Sequence, residues 1–426
     1  MRSTIPLVKG TRDFYPEQMA VRNWLYQAMR GAAEQYGYRE FDGPFLESLE
    51  LYAAKSSDEL VKEQSFAFQD RGGDWITLRP ELTPSLARMV AQKQRELSYP
   101  LRWWSFGPMW RYENTQKGRA REFFQWNVDL VGARTPAADA ELAAVAVSFL
   151  RMTGLSPADV EILVNDRRLV DSELAKLDIA PERRPEVSRL IDRRDKRKPA
   201  VWEAEAAGIG LNPAQIEGVY KLLADAKAWE RSPELREFFA AAEALGAAEY
   251  LRYAPHIVRG LDYYTGTVFE AWDCQGEFRA ILGGGHYENL VAAVGGDPLG
   301  GVGFAMGDVV IGLVLTKFQR LPSAAELVPA SALVTLFNQD LLVPTWQVAS
   351  ELRAAGIPVA SYPHPDKLDK QFKYAERIGA AVAVVLGPDE LAQGTAVVKD
   401  LHRREQRQVP RAEVAAAVRQ YLPARN

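Results

Sequence analysis

His256-Ile-Val-Arg-Gly-Leu-Asp-Tyr-Tyr-Thr-Gly-Thr-Val-Phe-Glu270 places one arginine among glycines, tyrosines and acidic residues and then enters an apolar strand. The glycine directly after Arg259 allows a turn or a close approach of the backbone to a ligand. The hydroxyl groups of Tyr263 and Tyr264 can order a small polar molecule. The stretch is equally compatible with a loop arginine paired with Asp262 and two tyrosines in a core, so the rest of the sequence must decide.

Composition limits the possible functions. The chain has 426 residues, 47% of them hydrophobic, which is too long for one ordinary domain and predicts two or three. With a net formal charge of −4, any contact with nucleic acid must come from local basic patches. The single cysteine, Cys274, excludes an internal disulfide and argues against a thiolate zinc cluster. The first residues contain no apolar targeting segment, and no later run is long enough to cross a bilayer, so we expect a cytoplasmic protein without a membrane partner.

The N-terminal part predicts a helix followed by an edge strand. The helix begins at Pro16 and ends near Gly37, and the strand runs from Tyr38 to Glu47. Pro44 interrupts this strand and cannot donate to a strand ladder, so it belongs at an edge or a bulge. The pair resembles the first motif of class II aminoacyl-tRNA synthetases. Because that motif builds the dimer interface of the family, the resemblance implies a homodimer.

A short turn after the predicted strand Trp75 to Leu78 carries a candidate binding residue. It reads Arg79-Pro80-Glu81-Leu82-Thr83-Pro84, in which Thr83 suits the N-cap of the next helix. Glu81 is then either a solvated carboxylate near a helix start or the acceptor of a substrate amino group, with Thr83 adding a hydroxyl. The Arg-Pro-Glu-x-Thr pattern and the opening stretch both resemble histidyl-tRNA synthetases, which favours the binding role.

Two predicted strands, Leu101 to Tyr112 and Glu122 to Val131, flank a polar loop. Alternation along the second strand points Phe124, Trp126, Val128 and Leu130 to one face and Gln125, Asn127 and Asp129 to the other. The polar face either meets water or needs partners if it is buried. Arg111, just before the loop, can lie over that same face.

This strand, loop and strand resemble the second motif of class II synthetases. The resemblance implies that Arg111 holds the α-phosphate of ATP and that Glu113 also contacts ATP. It implies further that the loop meets the acceptor end of the tRNA, through Lys117, Arg119 and Arg121.

Residues 166–249 change to charged, helix-forming sequence without strand signals, which predicts an inserted helical subdomain. Its basic run at 193–198 is either a solvated helix end or an RNA contact. The RNA contact is implied by the resemblance, because an insertion at this point binds the acceptor arm of the tRNA in that family.

The stretch Gly301 to Gly307 alternates between large and small residues. Val302, Phe304 and Met306 share one face, and the opposite face has only Gly301, Gly303, Ala305 and Gly307. Such a bare face leaves room for a flat ring or for a tightly packed helix, and Asp308 can cap the helix that follows. The stretch resembles the third class II motif, which implies that these four small residues form the floor under the adenosine.

Two positions depart from the family pattern. Val309 and Val310 stand where the third motif has Glu-Arg, so the arginine that holds the far phosphates of ATP in most of the family is missing. His286 follows the triple glycine 283–285, where an arginine is common.

The C-terminal part alternates between strands and helices and predicts a compact α/β domain. The predicted strands are Leu333 to Phe337, Val359 to Ser361, Val382 to Leu386 and Thr395 to Lys399, and the predicted helices lie near Thr345 to Ala355, Lys367 to Ile378 and Arg411 to Leu422. One helix face carries Lys367, Lys370, Lys373 and Arg377, which is either solvated or a contact for RNA phosphates. The segment resembles the anticodon-binding domain of the synthetase family.

Since the resemblance covers nearly the whole chain, the predicted fold is an α+β catalytic domain on an antiparallel class II sheet, with a helical insertion and a C-terminal α/β anticodon-binding domain. The boundaries are 1–165 and 251–322 for the two catalytic parts, 166–250 for the insertion and 331–426 for the anticodon-binding domain. The implied function is ATP-dependent ligation of L-histidine to tRNA(His) through a histidyl-adenylate.

The resemblance also implies roles for the site residues. Arg111 and Arg259 would neutralise charge on the reacting phosphate, which a rigid guanidinium does well. Asp129 and Tyr264 would bind the imidazole of the substrate histidine, and Glu81, Thr83 and Gln125 would bind the substrate's amino group. Tyr263 would also contact the substrate histidine. Glu270 is a candidate ligand of Mg²⁺, which prefers carboxylate oxygens. No zinc or organic cofactor is expected.

A second candidate is a histidine-sensing paralogue that charges no tRNA, such as the regulatory subunit of ATP phosphoribosyltransferase. Val310 and His286 favour it, because both replace an expected arginine. Arg111 and Arg259 are retained and a C-terminal domain follows from about Ser331, which favours the enzyme.

Overall fold

The computed structural model describes residues 5–53, 64–114, 118–194, 197–259, 263–327 and 331–422. Within these ranges the chain forms two compact units, one of residues 5–13 and 23–321 and the other of residues 14–22 and 322–422. No sequence signal predicted that residues 14–22 belong with the second unit.

Two sheets organise the first unit. Its strands are β1 (Arg39–Glu40), β2 (Leu46–Ser48), β3 (Phe66–Gln69), β4 (Trp75–Leu78), β5 (Leu101–Trp110), β6 (Glu122–Val131), β7 (Val160–Asp166), β8 (Leu251–Tyr253), β9 (Tyr264–Asp273), β10 (Leu282–Tyr287) and β11 (Gly301–Gly307). Eight of them form one sheet in the order β1-β5-β6-β11-β10-β9-β7-β8, and β2, β4 and β3 form a small one. The six inner strands of the large sheet are antiparallel, as predicted, and the two edge strands pair in parallel.

The helices up to the division are α1 (Pro16–Gln35), α2 (Leu49–Ala53), α3 (Thr83–Lys93), α4 (Pro136–Met152), α5 (Arg167–Lys176), α6 (Arg184–Asp192), α7 (Pro199–Gly208), α8 (Pro213–Ala224), α9 (Pro233–Ala244) and α10 (Asp308–Lys317). They include α4, which packs on the core face of the large sheet, and α2 and α3, which pack with β4 and with Leu101 and Val131 respectively.

The alternation predicted for β6 and β11 is confirmed. Trp126, Val128 and Leu130 are at most 1% exposed and lie in the core with Phe304. The alanine-rich α4 packs on this face, where the Trp126 and Phe149 ring centroids are 5.3 Å apart. The small and polar residues of both strands are therefore left on the opposite face.

Between β7 and β8 the described residues contain helices and no strand. Helices α5 to α8 share a small core around Trp202, whose indole N–H donates to the Leu190 carbonyl at 2.9 Å. Helix α9 instead buries Phe238 in the main core against α4. The helical stretch therefore contributes side chains to two separate hydrophobic cores.

Three local predictions are wrong. The predicted strand from Tyr38 to Glu47 is two short strands in different sheets, since Pro44 between them cannot continue a ladder. Thr83 is the first residue of α3 and not its cap. Asp308 is the first residue of α10, and its carboxylate accepts from the backbone N–H of Phe124 at 2.9 Å. The carboxylate of Asp308 therefore links α10 to β6 and does not cap α10.

The second unit is a five-stranded sheet with helices. Its elements are α11 (Ala324–Leu327), β12 (Ser331–Val334), α12 (Leu342–Ala354), β13 (Val359–Ser361), α13 (Leu368–Arg377), β14 (Ala380–Val385), α14 (Pro388–Gln393), β15 (Thr395–Asp400), β16 (Gln406–Pro410) and α15 (Val414–Arg419). The strand order is β13-β12-β14-β15-β16. Strand β16 and helix α14 were not predicted, because the polar edge sequence of β16 lacks an apolar period. In the part of the chain that the structure describes, no helix has the length and apolar character to cross a membrane.

Candidate active site

The face of the large sheet opposite the core is bare in its middle. Strand register places one row across β6, β11, β10 and β9 that consists of Asn127, Ala305, Gly283 and Glu270. The adjacent row across β6, β11 and β10 consists of Asp129, Gly303 and Gly285. Two neighbouring strands therefore carry almost no side chain here, and polar residues border the depression.

Arg259 reaches this depression from the segment before β9. Its Nη1 donates to Oε1 of Glu270 at 3.0 Å, and its side chain is 17% exposed. Gly283 leaves the space for the guanidinium, because a Cβ at that position would overlap Nη1 of Arg259. Nε of Arg259 is buried and has no hydrogen-bond partner among the residues that the structure describes, so the guanidinium keeps donor capacity for a ligand. The alternative partner, Asp262, lies outside the described residues.

Arg259 also has an unusual backbone. Its φ is +51°, a left-handed conformation that non-glycine residues seldom adopt. Arg167, at the start of α5, stabilises it by donating to the carbonyls of Val258 at 3.1 Å, Arg259 at 2.9 Å and Tyr264 at 2.6 Å. Local sequence gave no sign of this contact, which fixes both ends of the segment that carries Arg259.

The turn with Glu81 is held by two arginines. Nε of Arg111, directly after β5, donates to the Pro80 carbonyl at 2.9 Å. The fully buried Arg79 donates from Nε to the Pro108 carbonyl at 2.9 Å. Strand parity places Arg111 on the bare face, so this arginine, Glu81 and the depression lie on one side of the sheet.

Tyr263 and Tyr264 lie beside one another, with ring centroids 4.6 Å apart. Burial raises the pKa of both hydroxyls, and the charge of Glu81 adds to the rise. Both tyrosines therefore stay protonated donors at neutral pH, within the electrostatic reach of Glu81.

Asp129 is buried rather than solvated. It is 4% exposed and accepts a hydrogen bond from the Tyr287 hydroxyl at 3.0 Å. Burial raises the pKa of its carboxyl to about 7. Oε1 of Gln125, further along the same face, is buried and has no hydrogen-bond partner within the described part of the chain. A buried carboxylate and an unpartnered amide oxygen beside a bare floor suit a small ligand that donates hydrogen bonds.

Residues 10–308 match the family model for histidyl-tRNA synthetase, and residues 331–421 match the one for an anticodon binding domain. The histidine–tRNA ligase of Opitutus terrae is 38% identical over 437 residues, covering 99% of each chain. The chain belongs to the histidyl-tRNA synthetase family.

Solved structures of the histidyl-tRNA synthetase family share the fold. A crystal structure of histidyl-tRNA synthetase from Nostoc sp. has a TM-score of 0.82 at 24% identity and covers 99% of this chain and 100% of its own. A structure from Bacillus halodurans, described as an ATP phosphoribosyltransferase regulatory subunit/histidyl-tRNA synthetase, has a TM-score of 0.72 at 22% identity over 88% of this chain and 97% of its own. The predicted fold class is confirmed.

The candidate metal ligand Glu270 is already engaged. Oε1 accepts from Arg259, and Oε2 accepts from the indole N–H of Trp272 at 3.1 Å. Nowhere in the described residues do three His, Cys, Asp or Glu side chains come together as a metal-binding group. The donor set fits an ion that arrives on nucleotide phosphates and takes one or two carboxylates, rather than a metal held by the protein alone.

Two of the predicted tRNA contacts of the β5–β6 loop are engaged by neighbouring side chains of the same part of the chain. Nε of Arg119 lies 2.9 Å from Oε2 of Glu113. The guanidinium of Arg121 stacks 4.1 Å from the ring centroid of Tyr112. Lys117 lies outside the described residues.

In the second unit, Lys367, Lys370 and Lys373 are exposed at a spacing of three residues on α13 and at its start. Lys370 forms an ion pair with Asp366 at 2.6 Å. The three lysines therefore share one helix face, as predicted, and their RNA contact stays a prediction.

Sequence reasoning missed the role of Tyr287 and misjudged His286. Tyr287 follows Gly283 and Gly285 on the same face of β10 and donates to Asp129. Alternation along β10 could have placed Tyr287 on the bare face, although not against Asp129. His286 points to the other face, where Nδ1 lies 2.8 Å from Oδ1 of Asp139 and Nε2 lies 3.0 Å from Oε1 of Glu288. Both contacts raise the pKa of His286, which favours the positively charged imidazolium at the position of the usual arginine.

His286→Gln should lower stability most at mildly acidic pH. Burial lowers the pKa of His286, but the hydrogen bonds and charges of Asp139 and Glu288 outweigh it, so the pKa is raised. The stabilisation by the imidazolium is thus complete below the usual pKa of 6.5 and is lost as the pH rises through the raised pKa. Urea unfolding at several pH values should show a wild-type advantage that shrinks toward pH 9, by about 1.4 kcal/mol for each unit by which the pKa is raised. A difference that does not vary with pH would refute the cationic role.

Proposed function

We propose that the protein ligates L-histidine to tRNA(His) in two steps that consume ATP. The observation that carries this is the convergence of Arg259 and Arg111 with the buried Asp129 and the half-buried Gln125 on one bare sheet face, in a chain of the histidyl-tRNA synthetase family.

In the first step a carboxylate oxygen of histidine bonds to the α-phosphorus of ATP, and the bond to pyrophosphate breaks. Such a transfer depends on positioning and on neutralising charge at the non-bridging oxygens. Arg259, fixed by Glu270, and Arg111, fixed by the Pro80 carbonyl, supply two guanidinium groups for this purpose. Glu270 is the candidate carboxylate for Mg²⁺ bound to ATP, which would shield the charge of the leaving phosphates.

Selection of histidine requires groups that read an imidazole. The buried carboxylate of Asp129 accepts from one ring N–H, and the protonated hydroxyl of Tyr264 donates to the other ring nitrogen. An amino acid with an apolar side chain would leave both groups unpaired, which gives strong rejection. Glu81, Thr83 and Gln125 bind the amino group in this scheme.

In the second step the terminal ribose hydroxyl of the tRNA takes the histidyl group and releases AMP. The basic β5–β6 loop, with Lys117, Arg119 and Arg121, guides the acceptor end, and the lysine face of α13 meets the anticodon arm. The adenosine lies on Gly301, Gly303, Ala305 and Gly307, with Glu113 nearby.

A homodimer is part of the proposal. The small sheet exposes large apolar side chains that a second copy would cover, namely Phe45, Leu46, Phe68 and Trp75, each 45–54% exposed. Sedimentation velocity should give the mass of two chains. A cytoplasmic location and independence of zinc stay predictions from the sequence.

The regulatory paralogue is the second candidate, favoured by Val310. His286 supports it less than the sequence implied, because the imidazole between Asp139 and Glu288 conserves a positive contact.

Histidine-dependent exchange of labelled pyrophosphate into ATP is the deciding experiment. With pure protein and Mg²⁺, exchange should occur with histidine and be absent when histidine is omitted or replaced by phenylalanine. Binding of histidine without any exchange would support the regulatory candidate and overturn the enzymatic one.

Lys367→Ala combined with Lys373→Ala should weaken tRNA use and leave pyrophosphate exchange unchanged. Each lost phosphate contact should reduce the salt dependence of tRNA binding by roughly one in the log–log slope. The KM for tRNA at several salt concentrations tests this, with Lys221→Ala on α8 as an exposed control. Equal tRNA KM values in variant and wild type would show that this face is only solvated.

A further inference from the structure

The position of the missing arginine is apolar in the structure. Val310, in the first turn of α10, is 9% exposed and packs in the main core. Gly118 of the β5–β6 loop lies beside it, since a Cβ at Gly118 would be 3.7 Å from Cγ2 of Val310. The far phosphates of ATP therefore need a cation from another element near this point.

One other loop lies at the same end of the sheet. Register pairs the start of β10 with the end of β11, the end of β11 with the start of β6, and the start of β6 with the end of β5. The β9–β10 loop at 274–281, the β5–β6 loop and the start of α10 therefore share one sheet end. The β9–β10 loop carries Arg279.

Arg279 differs from Arg12 and Arg119 because no described residue forms an ion pair with its guanidinium. Arg12 pairs with Asp308 at 2.8 Å, and Arg119 pairs with Glu113 at 2.9 Å. Arg279 is exposed and makes no hydrogen bond or ion pair with any residue that the structure describes.

The charges around Arg279 favour an incoming anion. Burial and the nearby charge of Arg119 lower the pKa of Arg279, and Glu113 only partly opposes them. Since the positive charge of Arg119 acts on Arg279, an anion that binds near both guanidinium groups would relieve their repulsion.

We propose that Arg279 binds the β- and γ-phosphates of ATP in place of the arginine that Val310 replaces. The proposal rests on the proposed function and extends it. A guanidinium matches two phosphate oxygens at once. Arg279 precedes Gly283 by four residues, so at most about 14 Å of chain separates the two. Gly283 lies against Arg259, the arginine assigned to the reacting phosphate. That distance suits the far end of a triphosphate better than a phosphate of RNA.

Arg279→Ala tests this in the full-length protein. Binding of inorganic tripolyphosphate and of AMP, measured by calorimetry with Mg²⁺, should separate the two ends of the nucleotide without any turnover. Loss of one charged contact should weaken tripolyphosphate binding and raise the KM for ATP roughly ten- to a hundredfold, with AMP binding and the KM for histidine unchanged. Arg279→Lys should fall between, because lysine keeps the charge but not the fork.

Arg95→Ala is the matched control. Arg95 is an exposed arginine shortly before β5 and therefore lies at the opposite end of the sheet. Its substitution should leave tripolyphosphate binding and the KM for ATP as in the wild type. Unchanged tripolyphosphate binding in Arg279→Ala would overturn the inference. So would a raised KM for tRNA with unchanged ATP, which would assign Arg279 to RNA. Failure of the proposed function is separate, since it appears as absent exchange in the wild-type protein.

Discussion

Gly283→Ala should slow histidyl-adenylate formation by roughly 10²- to 10³-fold, as much as Arg259→Ala, while the protein stays folded. The new methyl group would take the place of Nη1 of Arg259, which is the end of a flexible side chain. The guanidinium can move away, so the strand survives and the arginine loses its position. Because Arg259 acts on the reacting phosphate, the turnover rate should fall far more than histidine binding. Rapid-quench measurement of adenylate formation, histidine titration and thermal melting test each part.

Two other glycines serve as controls for Gly283→Ala. Gly312→Ala on α10 meets nothing within 4 Å and should leave the rate unchanged. Gly284→Ala faces the core, where its methyl would lie 2.6 Å from the Gly303 carbonyl oxygen and 2.6 Å from Cβ of Phe304, so it should lower the melting temperature. A Gly283→Ala enzyme with near wild-type rate would show that Arg259 does not need its observed position.

Asp129→Asn should raise the KM for histidine by roughly ten- to a hundredfold, since a hydrogen bond to a charged group contributes about 1.5–3 kcal/mol. The amide has nearly the same shape and still accepts from Tyr287, so the loss should be confined to the imidazole contact. Pyrophosphate exchange at varied histidine measures it, with Asp297→Asn, an exposed carboxylate, as control. A change below about twofold in KM, well short of one charged hydrogen bond, would exclude Asp129 from imidazole binding.

The same substitution should stabilise the ligand-free protein at higher pH. Burial raises the pKa of Asp129 from 3.8 to about 7, so folding favours the protonated carboxyl. The stability linked to that proton is complete below pH 3.8 and is lost as the pH rises through about 7. A pKa about three above its usual value corresponds to an upper limit of about 4 kcal/mol. The advantage of the Asp129→Asn variant over wild type in urea unfolding should therefore grow between pH 5 and pH 8.

The sequence predicted which side chains share a strand face, because this depends on local alternation. It did not predict contacts between residues on strands that are distant in sequence. Alternation along β6 and β11 placed Trp126 in the core and Asp129 opposite it, because side-chain direction in a strand repeats every two residues. That Arg259 lies against Gly283 could not be predicted, because the two meet only through the pairing of β9 with β10.

Wrong and missing predictions have the same origin. Asp308 was expected to cap its own helix, but its carboxylate instead accepts a hydrogen bond from the N–H of Phe124, which is 184 positions away in sequence. The Tyr287–Asp129 contact spans β10, β11 and β6, so no single segment reveals it. Arg167, which holds the segment around Arg259, lies beyond the boundary where the inserted helices were expected to begin.

The three glycines of β10 also limit how the length of this chain can vary. Gly283 and Gly285 clear one face for Arg259 and Tyr264, and Gly284 clears the other for Phe304. One residue inserted between them would exchange the two faces for the remainder of the strand, so that Tyr287 would point into the core and His286 toward Asp129. Insertions and deletions in related chains should therefore be confined to the loops at the two sheet ends, and a tag or a grafted peptide placed in β10 should abolish folding and activity together.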